Sequence, residues 1–191
     1  MVIVGSGKTG GNTDLLCDSF IEGMKGPENQ IAKHHLGKEN VQPCTGCNAC
    51  RAGSKTCVQK DDFPSLVHDF LESDLIVLAT PLYFWGISAR LKAFIERLYC
   101  LGEKDEKGFY FKYPHKKIVL LATCADISSH FYTYELVDAY FNRLIRYMGW
   151  EDCGRYYATG CGGSFMPRRI TDTRHLKGVY DMAVKLNNTE S

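Results

Sequence analysis

At 191 residues the chain has the length of one generous domain, or of one domain with an added subregion. Apolar residues make up 45% and charged residues 24%, an ordinary globular balance with enough material for a buried core. The net charge of +1 excludes the basic footprint of a nucleic-acid binder, and no apolar run approaches the ~20 residues that cross a bilayer. The first residues lack the basic and apolar regions of a signal peptide, so a cytoplasmic protein is expected. Nine cysteines cannot all pair with one another, and four of them fall between Cys44 and Cys57. In a reducing compartment such a local group suggests metal or redox chemistry before structural bridges. Cys17, Cys100, Cys124, Cys153 and Cys161 are scattered, and most of them read as small buried hydrophobes.

The first element is the apolar run Val2-Ile3-Val4, followed by a glycine-rich loop and a helix that carries Leu16, Phe20 and Met24 on one face. A weaker strand fits residues 31–36, and a cysteine-rich insertion occupies residues 42–62. Residues 75–79 and 118–122 are again purely apolar, as strands covered on both faces of a parallel sheet are. The first of these precedes a helical stripe of Ile87, Leu91, Phe94, Ile95 and Leu98. Residues 102–115, charged and then aromatic, form a second specialised segment. Beyond 122 comes a stripe through Leu136/Val137, Tyr140/Phe141, Leu144/Ile145 and Met148, then a weak strand at 155–159. A last stripe runs through Leu176, Val179/Tyr180 and Ala183. Repeated strand–helix units predict one α/β domain over residues 1–191, a doubly wound five-stranded parallel sheet with helices on both faces. Five strands suggest the flavodoxin-like order 2-1-3-4-5, with ligands beyond the carboxyl ends of the strands.

Gly7-Lys8-Thr9 ends like the phosphate loop of a nucleoside triphosphatase. That motif needs a glycine five residues before its Gly-Lys pair, where this chain has Val2 inside the first strand. The triphosphatase reading is therefore set aside. A compact anion cradle is the alternative: Gly5, Gly7, Gly10 and Gly11 allow close backbone approach, and helix amides point at the anion. Ser6, Asn12 and Thr13 add hydrogen-bond donors, and Lys8 adds charge. On these residues alone a plain tight turn with a helix cap stays equally open.

The stretch GSGKTGGNTDLL resembles the first loop of the NAD(P)H-dependent FMN reductase family, which carries Gly-Ser, a basic residue, Gly-Asn-Thr and an apolar helix. The family's second hallmark is similar to residues 80–98, TPLYFWGISARLKAFIERL, with Pro81, Tyr83, Leu91-Lys92 and Glu96-Arg97 in the matching places. The resemblance implies FMN as cofactor and NAD(P)H as electron donor. It implies that Ser6, Lys8, Gly11, Asn12 and Thr13 hold the phosphate. Pro81, Leu82, Tyr83, Phe84, Trp85 and Gly86 would hold the ring, with core or dimer packing as the competing role for Phe84 and Trp85. Thr123 and Cys124 are expected in a third cofactor loop on topological grounds. The flavin itself carries the chemistry, so no catalytic side chain is expected. The electrons would pass to a flavin, a quinone-like compound or a protein acceptor, and a homodimer or homotetramer is implied. No nucleic acid or membrane partner is expected.

Cys44, Cys47, Cys50 and Cys57 have the spacing C-x2-C-x2-C-x6-C, which suits the four thiolates of a cubane [4Fe-4S] cluster better than a structural zinc site. The pattern also resembles the compact motif of iron–sulfur flavoproteins, a branch of the same FMN family, where a cluster relays single electrons. Three readings stay open: a cluster, a metal-free loop over the flavin, and a dithiol that makes the protein a redox-sensing binding module. His34-His35 reads as a solvent-facing pair, and His68, His115 and His130 as surface or cap residues. Lys104, Asp105, Glu106 and Lys107 read as a solvated turn; residues 160–163 resemble a late loop near the flavin edge, with a plain strand–helix turn as the alternative, and Arg168 and Arg169 read as surface groups ahead of contacts to a nicotinamide-cofactor phosphate.

Overall fold

A computed structural model describes residues 1–54, 56–106, 108–113, 115–126, 134–162 and 168–189. His130, Lys107 and Gly163, which figure in the sequence expectations, lie outside the described residues. The parallel sheet has β1 (Val2–Val4) between β2 (Lys33–His35) and β3 (Leu75–Tyr83), followed by β7 (Lys117–Thr123) and β8 (Glu151–Ala158). This is the expected order 2-1-3-4-5, with all five strands parallel. The register pairs Val4 with Ala79, Pro81 with Thr123 and Thr123 with Ala158, so the loops after β1, β3, β7 and β8 leave the sheet along one edge.

The purely apolar strands are explained by what covers them. Ile3, Ile76, Leu78, Ile118 and Leu120 face one core, built with α2 (Phe63–Glu72), α3 (Ala89–Arg97) and α4 (Glu135–Met148). Val2, Val4, Val77, Ala79, Val119 and Leu121 face the other, built with α1 (Asn12–Gly23) and α5 (His175–Thr189). Alternate residues thus serve opposite layers, each buried Val, Leu or Ile side chain contributing about 1.5–3 kcal/mol.

Several local expectations need correction. Residues 102–105 and 108–111 pair as two antiparallel strands, β5 (Gly102–Asp105) with β6 (Gly108–Phe111), and Lys104 and Asp105 belong to the first of them. Charge obscured this strand, whose partner strand buries Phe111. Leu136 and Tyr180 stand exposed, because the packed arcs of α4 and α5 run through Val137, Phe141 and Met148, and through Val179 and Ala183. His34 is half-buried between two carboxylates, Nδ1 3.0 Å from Glu39 and Nε2 3.0 Å from Asp69, so it is no solvent-facing group.

Candidate functional site

The loop after β1 is held close to the sheet. The Gly5 amide donates to the Ala79 carbonyl at 2.7 Å, and a Cβ on Gly5 would come within 2.8 Å of Leu91 and Ser88. Ser88, buried, caps α3 by accepting from the Leu91 amide and donates its hydroxyl to the Gly5 carbonyl at 2.7 Å. The same side chain therefore starts a helix and fixes the loop. Further along, Ser6 Oγ accepts from the Lys8 amide at 3.1 Å, and Lys8 itself is exposed. Gly11 leads into α1 with no side-chain cap, so the first-turn amides point out of the helix end.

Thr13 is buried and shares a 2.7 Å hydrogen bond with Thr123 at the end of β7. Asn12 accepts from the Ile170 amide at 3.1 Å, which ties the helix start to the segment before α5. Arg90 lies over the loop, its Nη1 3.1 Å from where a Cβ on Gly7 would sit. Asp14, also buried in the first turn, accepts from the Gly10 amide at 2.6 Å and pairs with Lys33 at 2.6 Å. Burial raises its carboxyl, but Lys33 and the Gly10 amide outweigh that and hold it below the usual range. Lys33 also offsets the negative charge that Asp14 places near the helix end.

The ring-loop residues form a strand end and a tight hairpin instead of an open loop. β3 runs on through Pro81 to Tyr83, turns at Phe84 and Trp85, and returns as β4 (Gly86–Ile87) with Leu82 opposite Ile87. The Ser88 amide donates to Thr80 Oγ1 at 2.9 Å and closes the hairpin base. Phe84 and Trp85 have φ of 46° and 60°, left-handed values that two-residue hairpins normally assign to Asn-Gly. Each such residue costs about 1–3 kcal/mol. The strain sits under exposed aromatics: Tyr83 is 60% and Phe84 94% exposed. At the next strand end Thr123 and Cys124 are both buried, and burial pushes the Cys124 thiol up to about 11. The three predicted cofactor segments thus leave adjacent strands at one edge. A cleft of about 650 Å³ lined by Met1, Phe20, Asn29 and Leu75 lies at the other edge, away from this chemistry.

Among the described residues no cysteine forms a disulfide. Cys44 and Cys47 are exposed, Cys50 and Cys57 half-buried, and Cys50–Ser54 forms a single π-helical turn. Among the described residues no three His, Cys, Asp or Glu side chains converge as metal ligands. The insertion is fastened at its neck by Arg97, whose side chain is 0% exposed. Arg97 pairs with Asp61 and donates to the Gln42 carbonyl at 3.3 Å, while Asp61 accepts from the Gln42 amide at 2.9 Å and the Phe63 amide at 3.2 Å. The guanidinium also lies 4.2 Å from the centre of the Phe63 ring. Farther out, Arg51 donates to the carbonyls of Tyr99 and Gly102 and stacks 4.9 Å from the Tyr99 ring and 5.5 Å from Phe109. A cavity of about 170 Å³ is lined by Cys44, Cys47, Cys50, Cys57, Arg97 and Cys100.

Sequence reasoning missed Ser88, Arg90 and Cys100. Serine three residues before Leu91 was a readable cap signal, whereas Arg90 and Cys100 reach their places only through tertiary packing. Arg97 was noted within a motif, and the structure assigns it the fastening of the insertion.

A family described as flavodoxin-like fold matches residues 1–174. An iron–sulfur flavoprotein of Archaeoglobus fulgidus is 31% identical over 161 residues, 84% of this chain and 67% of that protein. The FMN-dependent NADH:quinone oxidoreductase 2 of Pseudomonas aeruginosa is 26% identical over 106 residues, 54% of this chain and about half (52%) of that protein. An azoreductase structure from Bacillus anthracis superposes with a TM-score of 0.74 at 18% identity, covering 98% of this chain and 97% of the other. Matched over nearly its whole length and built on the same sheet order, the chain belongs to the flavodoxin-like fold family.

Proposed function

We propose that this chain is an FMN-dependent oxidoreductase that takes reducing equivalents from NAD(P)H and passes them to a flavin, a quinone-like compound or a protein acceptor. The observation that carries the reading is the meeting of an uncapped helix start, a cationic cover and two further strand-end loops at one sheet edge. The residues suit the group. The α1 amides, Ser6, Gly11, Asn12 and Thr13 would hold the phosphate, with Lys8 and Arg90 supplying charge. Residues 81–86 would flank the ring, the bent Phe84–Trp85 turn presenting aromatic faces to it. Thr123, fixed by Thr13, and Cys124 would close the third side. When bound, FMN supplies the hydride and electron chemistry. The chain's part is to bind, to orient and to exclude water from the ring. The relatives named as flavoproteins support this reading. A homodimer or homotetramer in the reducing cytoplasm belongs to the same proposal, in keeping with a cysteine-rich chain whose described residues form no disulfide. Titration with FMN, followed by quenching of its fluorescence and by NADH oxidation, tests it. A colourless chain that leaves added FMN free refutes it.

A second reading, an iron–sulfur flavoprotein that carries electrons between proteins, is favoured by the cysteine cavity and its buried arginine. Cys44, Cys47, Cys50 and Cys57 would supply the thiolates of a [4Fe-4S] cluster. Iron and sulfide analysis of anaerobically purified protein separates the two, since iron near zero even after reconstitution removes the second.

A further inference from the structure

The cavity of the cysteine insertion holds more than the four-cysteine motif. Cys100, at the end of the 3-10 turn that follows α3, is 7% exposed and lines the same cavity as Cys44, Cys47, Cys50 and Cys57. Cys50 and Cys57 line that cavity with it, and the Cys57 amide is directed at its sulfur. Arg97 forms another wall and lies beside the Cys57 thiol. Its Nη1 is used by Asp61 and Gln42, and the buried remainder of the guanidinium is left with the Cys57 thiol as its neighbour in the cavity. The charge of Arg97 is met by Asp61, and its remaining buried donors require acceptors on the cavity side, where the Cys57 sulfur lies. The sulfurs of thiolate-ligated iron–sulfur clusters accept such hydrogen bonds.

We infer that Cys100 is a fifth thiol of the cluster chamber, able to take the ligand position of Cys57, with Arg97 as a wall that offers hydrogen bonds to sulfur beside Cys57. The inference rests on the iron–sulfur reading above and extends the ligand set beyond the residues of the loop. The exchange involves no electron transfer. One S–H bond of Cys100 breaks, one Fe–S bond forms, and the proton leaves to solvent. Where Cys57 had been the ligand, its Fe–S bond breaks and its sulfur takes up a proton.

The test compares the full-length wild type, Cys57→Ala, Cys100→Ala and the double variant after anaerobic reconstitution with ferrous iron and sulfide. Cys100→Ser, alone and with Cys57→Ala, is made in parallel in case alanine at the buried site impairs folding; circular dichroism identifies the folded variants. The readouts are iron and sulfide content and the electron paramagnetic resonance spectrum of the reduced protein. Wild type, Cys57→Ala and Cys100→Ala are expected to keep about four irons per chain, with a shifted resonance in Cys57→Ala. The double variant is expected to lose iron by about tenfold or more. A wild type that takes up no iron overturns the cluster reading and this inference with it. A wild type that loads, beside a Cys57→Ala variant as empty as the double variant, overturns the role of Cys100 alone.

Discussion

Replacing Arg97 by methionine tests whether the insertion is held at its neck. The side chains of Arg97 and Asp61 are 0% and 2% exposed, so the substitution strands a buried carboxylate. Breaking a buried pair from one side costs about 3–5 kcal/mol. The Gln42 and Phe63 amides still stabilise Asp61 and keep this contribution near its lower end. Loss of the guanidinium from the Phe63 face adds roughly 1 kcal/mol. The total is about 4 kcal/mol, which in a chain of this length lowers the melting temperature by roughly 8–16 °C. Thermal and urea unfolding of the metal-free protein, followed by circular dichroism at neutral pH, measures it. Removing both partners, Arg97→Met with Asp61→Asn, is expected to restore part of the loss and give a coupling energy of about 2 kcal/mol. A single-variant loss below about 1 kcal/mol, or additive losses in the double variant, would refute the clamp.

Three further outcomes are expected. Replacing Phe84-Trp85 by Asn-Gly relieves two left-handed bulky residues, roughly 2–6 kcal/mol, but gives up the packing of Trp85, which is 46% exposed. Stability should therefore rise by a net of about 1–3 kcal/mol while FMN binding weakens, measured by urea midpoint and fluorescence titration. Asp14 and Asp61 both have folded pKa values below 3.8. Their stabilisation is therefore complete above the unfolded value and is lost as pH falls below 3.8 through the folded values. Urea midpoints against pH should fall less steeply on the acid side in Asp61→Asn. In the metal-free chain the exposed Cys47, whose thiol the Ala49 amide and the Thr45 side chain hold down, should alkylate well before Cys100 and Cys124. Burial pushes those two up to about 11, and peptide mass spectrometry after brief iodoacetamide treatment reads the order.

The sheet order was legible because strands buried on both faces must be apolar throughout, as residues 75–79 and 118–122 are. The turn into α1 was legible for the same local reason: a glycine-rich stretch running into a helix announces itself within a dozen residues. What escaped was non-local. Nothing adjacent to Arg90 says that it will lie over Gly7, and nothing adjacent to Cys100 says that it will line a cavity with Cys50 and Cys57. The β5–β6 pair escaped because a charged strand with one short apolar face mimics a turn. Phe84 and Trp85 defied the hairpin rule outright, since their turn type calls for residues of the opposite character.

The neck at Arg97 also bears on how such a protein can diversify. The two ends of the insertion meet through Gln42, Asp61 and Arg97. That fastening uses none of the four cysteines between them. Lengthening a loop whose ends are already pinned is cheap, about 0.6 kcal/mol for each doubling. The segment is therefore a socket, whose contents can be exchanged between metal-holding and metal-free versions while the flavodoxin-like sheet beneath keeps its register.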